Sequence, residues 1–492
     1  MTSPPRQGSD AINLIPTLGS FSATMLVAGG VIGSGIFRKP GVMAAEVGSP
    51  EVLLAIWLVA GFVSLLGTLS NAELASMMPR TGGQYLYLQR AYGPFVGFLY
   101  GWSLFAVIQS GSIAALAYVF AEYTTRLVPL PQAPPHLAGM AIHLPFIGNI
   151  TPWHDLGVKG LAAMIILALT AVNYFGVRFG GWVQNIFSAA KIAAMLGLAL
   201  VVAATPGVGQ MANLHQNSAT IHPSGLMWWA SIAAALQGAF WAYDGWQKIT
   251  YIGGELKSPE RDLPRSLIFG ILVVTGLYLL MSAVYSYVLP IDQIAQSKLV
   301  AADVAEQCFS GGGRWIAVAV MLSTFGAANA VILTSARVYY SMGQDGVAPA
   351  FLSGAHPRFR TPAASLVVQA LWSILLVFSG TFDTLTDTLI FVSWFFYVAN
   401  AWAVVLLRRR EPLAPRPFRV PGYPWVPIVF ICFGLVYLGL TLYTDVAAYQ
   451  KAAASGEPGL LRSAFGLGLV VLGTPIYLYY RALGRRPRSL PT

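Results

Sequence analysis

Apolar runs too long for the core of a soluble domain recur from one end of this 492-residue chain to the other. A helix that crosses a bilayer needs about 20 predominantly apolar residues. Continuous stretches such as Leu161–Val172 and Ile192–Ala204 lack the strict alternation of a membrane β-barrel strand, so the spans are helices. Apolar runs between charged or Pro/Gly-rich punctuation predict twelve of them, near 16–47, 51–77, 95–128, 157–177, 181–205, 225–253, 265–289, 314–343, 363–380, 384–407, 425–444 and 463–482. With 56% hydrophobic and only 10% charged residues, the chain is an integral all-α membrane protein. Disorder, a secreted disulfide scaffold and a large soluble catalytic domain are excluded.

The net charge of +10 would suggest nucleic acid in a soluble protein, but here it follows the spans. With both termini placed in the cytoplasm, nineteen Lys and Arg fall on the inside and eight on the outside, and Lys191 and Lys248 lie within spans. This asymmetry orients both termini inward, with no nucleic-acid partner implied. The polar stretch 1–15 reads as a cytoplasmic tail rather than a removable signal, and 483–492 as a second tail. The basic runs Arg408-Arg409-Arg410 and Arg485-Arg486 are explained by topology and attraction to anionic lipid. Cys308 and Cys432 make no metal cluster, and the six histidines make no i, i+4 ligand pair on a predicted span. No catalytic residue, metal or cofactor is indicated. A channel would need a polar pore or rings of charge, and neither is evident.

The first span is too long for one regular helix and carries Gly29-Gly30-Val31-Ile32-Gly33-Ser34-Gly35-Ile36-Phe37 at its middle. Glycine costs about 1 kcal/mol against alanine inside a helix, and freed backbone groups at membrane depth must find partners in protein, water or a ligand. Close packing through small residues is the competing explanation. Five spans later comes Gln237-Gly238-Ala239-Phe240-Trp241-Ala242-Tyr243-Asp244-Gly245-Trp246, a second polar, Gly-containing interruption. A repeat of five spans starts its second copy from the opposite face of the membrane, and paired interruptions in two such halves point to a transporter's binding site. The half-helix after Gly35 presents unpaired N–H groups suited to a carboxylate. The half-helix ending near Trp241 presents carbonyls suited to an ammonium group, and together they match an α-amino acid.

These residues resemble the amino acid/polyamine/organocation transporters, and among them the L-type branch with its bacterial serine/threonine-exchanger-like members. The resemblance covers nearly the whole chain. It rests on Gly33-Ser34-Gly35-Ile36-Phe37, Gly48-Ser49-Pro50, Ala72-Glu73-Leu74, Pro79-Arg80-Thr81-Gly82-Gly83, Tyr92-Gly93-Pro94 and Trp241-Ala242-Tyr243-Asp244-Gly245-Trp246. Glu255 with Pro259-Glu260 and Leu263-Pro264, Thr334-Ser335-Ala336-Arg337 and Arg416-Pro417-Phe418 complete it.

The resemblance implies a LeuT-type 5+5 inverted repeat with discontinuous first and sixth helices: a first repeat over 16–205, a second over 225–407 and peripheral helices over 425–482. It places the substrate carboxylate on the N–H groups of Gly33, Ser34 and Gly35, with the Ser34 hydroxyl as a further donor. The amino group then meets carbonyls of Val31, Ile32, Phe240, Trp241 and Ala242. Trp241 falls where the family has an aromatic outer gate. Lys191, deep in the fifth span, falls where sodium-coupled relatives have a sodium site; it is expected to hold the first interruption and make transport sodium-independent. Asp244 either accepts a hydrogen bond from substrate or caps the half-helix that begins at Trp246. Asn329 bonds either to the broken helix or to neighbouring backbone, and Gln109, Ser110 and Ser112 either line the pocket or pack helices. The mixed charges of 255–265 form either inside-closing ion pairs or a solvated turn, the turn being the simpler expectation.

The function implied is sodium-independent exchange of neutral L-amino acids by alternating access in the cytoplasmic (inner) membrane. The rivals are a broad neutral and cationic exchanger, with Asp244 reading the extra charge, and a proton-coupled symporter of amino acids or amines. The loop Pro129–Leu156 has no cysteine for a heavy-subunit disulfide, so a monomer or homo-oligomer is expected.

Overall fold

A computed structural model describes residues 16–140, 142–144, 148–221, 223–379, 382–454 and 461–482. The chain is helical apart from a short hairpin, Ile142–Leu144 antiparallel to Gly148–Ile150, in the loop after the third predicted span. Among the described residues, ten helices are long and apolar enough to cross a membrane. Two further apolar helices, Leu226–Tyr243 and Ala363–Ser379, are shorter. This is a multi-pass membrane protein.

Local chemistry sets the helix boundaries. Between the first two spans, Gly48 takes the left-handed conformation (φ 60°) that closes helix Gly35–Val47. Ser49 then caps the next helix by accepting from the Val52 N–H, and Pro50 occupies its first turn, where no N–H is needed. The Gly-Ser-Pro motif is thus a helix–turn–helix corner. Pro259 likewise opens helix Pro259–Val288 six residues before the predicted start of that span, so the exposed turn expected over 255–265 is confined to Lys257 and Ser258. The last-but-one span, expected to end near 444, continues as Trp425–Ala454 because the alanine-rich stretch after Asp445 favours helix despite its polarity.

Burial separates an inner bundle from an outer layer. Within their most apolar windows, 72% of residues are buried in Ser20–Val47 and Gly312–Gln344, and 83% in Pro94–Thr124. The corresponding shares for Gly181–Ala204 and Arg462–Ala482 are 28%. The outer faces carry Phe62, Met164, Leu200, Phe269, Leu371 and Val436, exposed as lipid-facing side chains are. Pro94–Thr124 is interrupted by a π-helical turn, Leu104–Ile108, directly before Gln109. Such wide turns insert one residue into the helical register.

The end of the bundle that carries Leu18, Gly82 and Glu255 is held by pairings that account for several of the sequence motifs. Thr17 and Leu18 donate their N–H groups to the Glu255 carbonyl, and Gly82 donates to the Tyr251 carbonyl. Gly83 (φ 53°) lies so close to Thr250 that a Cβ would stand 2.4 Å from its hydroxyl oxygen. The Glu255 carboxylate meets Arg337 with Nε–Oε1 at 2.8 Å, both side chains fully buried. Alongside, Glu73 accepts two hydrogen bonds from Arg408 (2.8 and 2.6 Å) and one from the Val420 N–H, with Arg416 at 3.4 Å. Within 255–265, Glu255 forms an ion pair, while Lys257, Glu260, Arg261 and Arg265 are exposed, so each of the two expectations holds for part of the stretch. Arg337→Met leaves Glu255 buried without its partner and is expected to destabilise the protein by about 3–5 kcal/mol. Thermal unfolding in detergent should show this as a lower midpoint, and Glu255→Gln added to it should recover part of the loss.

Candidate functional site

The first interruption is real and short. Helix Ser20–Val31 stops, Ile32–Ser34 are non-helical, and a new helix starts at Gly35. The second differs from expectation in place and form. Helix Leu226–Tyr243 runs through Gln237–Trp241 unbroken, and the chain turns only at Asp244-Gly245 before a 3₁₀ segment, Trp246–Tyr251. Asp244 is extended there and Gly245 has φ 115°, a conformation that favours glycine. The polar Asp-Gly pair makes the turn, whereas Gly238 is accommodated inside the helix.

The two interruptions touch. A Cβ on Gly35 would lie 2.4 Å from both Cα and Cβ of Ala242, so only glycine allows this approach. The Tyr278 hydroxyl bridges them, within hydrogen-bond distance of the Val31 carbonyl (3.2 Å) and the Ala242 carbonyl (2.9 Å). Lys191, 1% exposed, donates through Nζ to the carbonyls of Gly29 (2.7 Å) and Ile32 (2.6 Å). Ser323 donates to the Gly33 carbonyl at 3.0 Å. The carbonyl side of the first interruption is therefore satisfied by protein donors, as backbone at membrane depth requires. Its N–H side is not: among the described residues no acceptor faces the N–H groups of Gly33, Ser34 and Gly35, and the buried Ser34 hydroxyl has no partner.

These groups enclose a cavity lined by Gly30, Val31, Ser34, Ser112, Trp241 and Asp244, with Lys248 beside them. Its volume is about 10 Å³, room for about one water, so the site is closed. Trp241, 6% exposed, forms part of its wall. Phe240 instead directs its ring onto Trp394 (centroids 4.3 Å) and Tyr437, away from this cavity. Asn329 accepts from Asn173 at 2.8 Å and donates to Gln184 (3.4 Å), which donates to Ser188, which in turn reaches the Met25 carbonyl. Asn329 thus reaches the broken helix through two other side chains. Ser112 lines the cavity, and Gln109 and Ser110 are buried one turn before it.

Asp244 does not cap the 3₁₀ segment. Its carboxylate accepts from the Tyr397 hydroxyl and is ion-paired with Lys248 (Nζ–Oδ2 3.2 Å), and no backbone N–H among the described residues donates to it. Four residues were not singled out by sequence reasoning: Tyr278, Ser323, Tyr397 and Lys248. Nothing marks Tyr278 or Tyr397 among 22 tyrosines. Lys248 did carry a signal, since a lysine four residues from an aspartate inside an apolar segment calls for a partner.

A closed polar cavity between two interrupted helices in the middle of an apolar bundle defines a multi-pass membrane transporter. The chain belongs to the amino acid permease family, whose model matches residues 18–453. It is 31% identical over 447 residues to the serine/threonine exchanger SteT of Bacillus subtilis (strain 168), covering 90% of this chain and 95% of that protein. It is 31% identical over 433 residues to the b(0,+)-type amino acid transporter 1 of Mus musculus, covering 87% and 83%. Against the large neutral amino acids transporter small subunit 2 of Homo sapiens it is 29% identical over 482 residues, covering 96% and 81%. The protein is a permease, not an enzyme.

Two substitutions probe the geometry. Gly35→Ala should abolish transport while full-length protein still reaches the membrane, because the added methyl cannot fit against Ala242. Lys191→Ala leaves two buried carbonyls without their donor, at about 1–3 kcal/mol each. Uptake by reconstituted protein should fall about tenfold or more, with insertion preserved.

Proposed function

We propose that the protein exchanges neutral L-amino acids across the cytoplasmic membrane by alternating access, without sodium. The observation that carries this reading is the pairing of unsatisfied N–H groups at Gly33–Gly35 with the carbonyl-bearing end of helix Leu226–Tyr243 across one closed cavity. The carboxylate of an α-amino acid takes the N–H groups and the Ser34 hydroxyl. Its ammonium group takes the second lone pairs of the Val31 and Ala242 carbonyls, with Ile32, Phe240 and Trp241 contributing main-chain oxygens. The Tyr278 hydroxyl, shared between the two interruptions, keeps them in register for both ends of the substrate.

Lys191 supports sodium independence. Its Nζ donates to the Gly29 and Ile32 carbonyls, where a monovalent cation would otherwise be needed to stabilise the unwound segment. The cycle follows from the same parts. Trp241 closes over the substrate from outside, the seal at Glu255–Arg337 opens, and the site faces inward. The relatives named as exchangers and amino acid transporters support exchange of neutral substrates.

The architecture that goes with this reading is twelve spans, the first ten a 5+5 inverted repeat of LeuT type divided at 16–205 and 225–407, the last two peripheral. Both termini are cytoplasmic and the membrane is the inner one. The chain acts as a monomer or homo-oligomer without a disulfide-linked heavy subunit, since the loop 129–156 has no cysteine. The deciding experiment is counterflow in proteoliposomes. Labelled serine, threonine or leucine should enter only when unlabelled neutral amino acid is present inside, equally in sodium and in choline buffers. Uptake driven by an imposed proton gradient into amino-acid-free vesicles would replace exchange with symport, and an absolute requirement for sodium would remove the role of Lys191.

A further inference from the structure

We propose that Lys248 is a built-in counter-ion that occupies the place a substrate's cationic side chain would take, and so excludes dibasic amino acids from this transporter. The inference rests on the neutral-exchange reading above and deepens it by assigning the residue that sets charge selectivity.

Both charges are fully inside the protein. The side chains of Asp244 and Lys248 are 4% and 3% exposed, and both border the cavity together with Ser34 and Trp241. The Asp244 carboxylate is served on each oxygen, by the Tyr397 hydroxyl on Oδ1 and by Lys248 Nζ on Oδ2. Tyr397 is fixed in turn by the Gln247 amide, which donates to it at 2.6 Å. The lysine folds back over the turn: Nζ lies 3.0 Å from where a Cβ on Gly245 would stand, and the turn itself, with φ 115° at Gly245, favours glycine.

An aspartate alone at this depth would be a buried unpaired anion, costly by itself and a receptor for any substrate carrying a cation. With Lys248 in place its charge is already matched from within the same turn. A lysine or arginine substrate would bring a second cation beside the first into a cavity from which water is excluded, where repulsion between like charges is strongest. A neutral side chain meets no such opposition. Discrimination is achieved by a repulsive element, which is how a site rejects a competitor without losing its preferred ligand. A purely structural role, an ion pair that steadies the turn, predicts no change in charge preference when the pair is altered.

The test is the ratio of labelled lysine to labelled serine counterflow in proteoliposomes of purified full-length protein. Wild type should strongly favour serine over lysine, arginine and glutamate. In Lys248→Gln, which exposes Asp244, the lysine-to-serine ratio should rise roughly tenfold or more, and in Asp244→Asn/Lys248→Gln it should return toward the wild-type value. Asp244→Asn alone, leaving an unpaired ammonium group, should raise the glutamate-to-serine ratio instead. If Lys248→Gln is not recovered as folded protein, Asp244→Asn decides, because its shift is in the opposite sense and structural damage lowers all substrates together. Wild type that exchanges lysine as fast as serine overturns the inference, as do folded variants with unchanged ratios. Wild type that shows no amino acid counterflow overturns the neutral-exchange reading itself.

Discussion

Everything in this molecule is arranged around three residues of main chain, Ile32–Ser34, that leave their helix where no water is available to receive them. Each freed polar group in such surroundings costs several kcal/mol unless another part of the protein answers it. The Ile32 carbonyl is answered by Lys191 from helix Val177–Ala204 and the Gly33 carbonyl by Ser323 from helix Gly312–Gln344, while Tyr278 from helix Pro259–Val288 takes the Val31 carbonyl just before them. The Ile32 N–H is bonded to the Ala28 carbonyl, whereas among the described residues the N–H groups of Gly33 and Ser34 have no protein acceptor, so acceptors are committed and two donors are not.

The same logic explains which parts of the architecture could be foreseen. Hydrophobic runs locate spans because the bilayer imposes a length and a polarity that no packing detail can override, and the Gly33-Ser34-Gly35 interruption was legible because helical glycine in lipid needs a reason. Lys191 was legible on the same ground of cost. The second interruption was misplaced by several residues because glycine was given more weight than aspartate. Gly238 needs no escape from the helix, its virtual Cβ being 3.0 Å from the flexible Met43 side chain, whereas Asp244-Gly245 turns the chain. Tyr278, Ser323 and Tyr397 gave no warning, since their roles come from which helices lie side by side. The site residues remain a geometric proposal, and the family is established by comparison.

At the end of the bundle that carries Glu73 and Glu255 the polar pairings are of a different kind. The Glu255–Arg337 pair is dry and isolated, while Glu73 is shared by Arg408 and Arg416 and also receives the Val420 N–H. A carboxylate with several donors can exchange one for another at small cost, but a single buried pair must be broken whole. The Glu73 cluster joins the second span to the segment after the tenth, and the N–H groups of Thr17 and Leu18, bound to the Glu255 carbonyl, tie the entrance of the first broken helix to the Glu255–Arg337 pair.

The wide turn at Leu104–Ile108 adds one residue to the winding of helix Pro94–Thr124 just before it reaches the cavity. One residue corresponds to about 100° of azimuth. The lower part of that helix is thus phased to pack Tyr100 against Phe396, while the upper part is phased separately to show Ser112 and Leu116 to the interior. Moving the extra residue along the rod, a shift of hydrogen-bond partners by one place, would rotate the upper face without displacing the lower one. The two halves of the helix are thereby phased independently of each other.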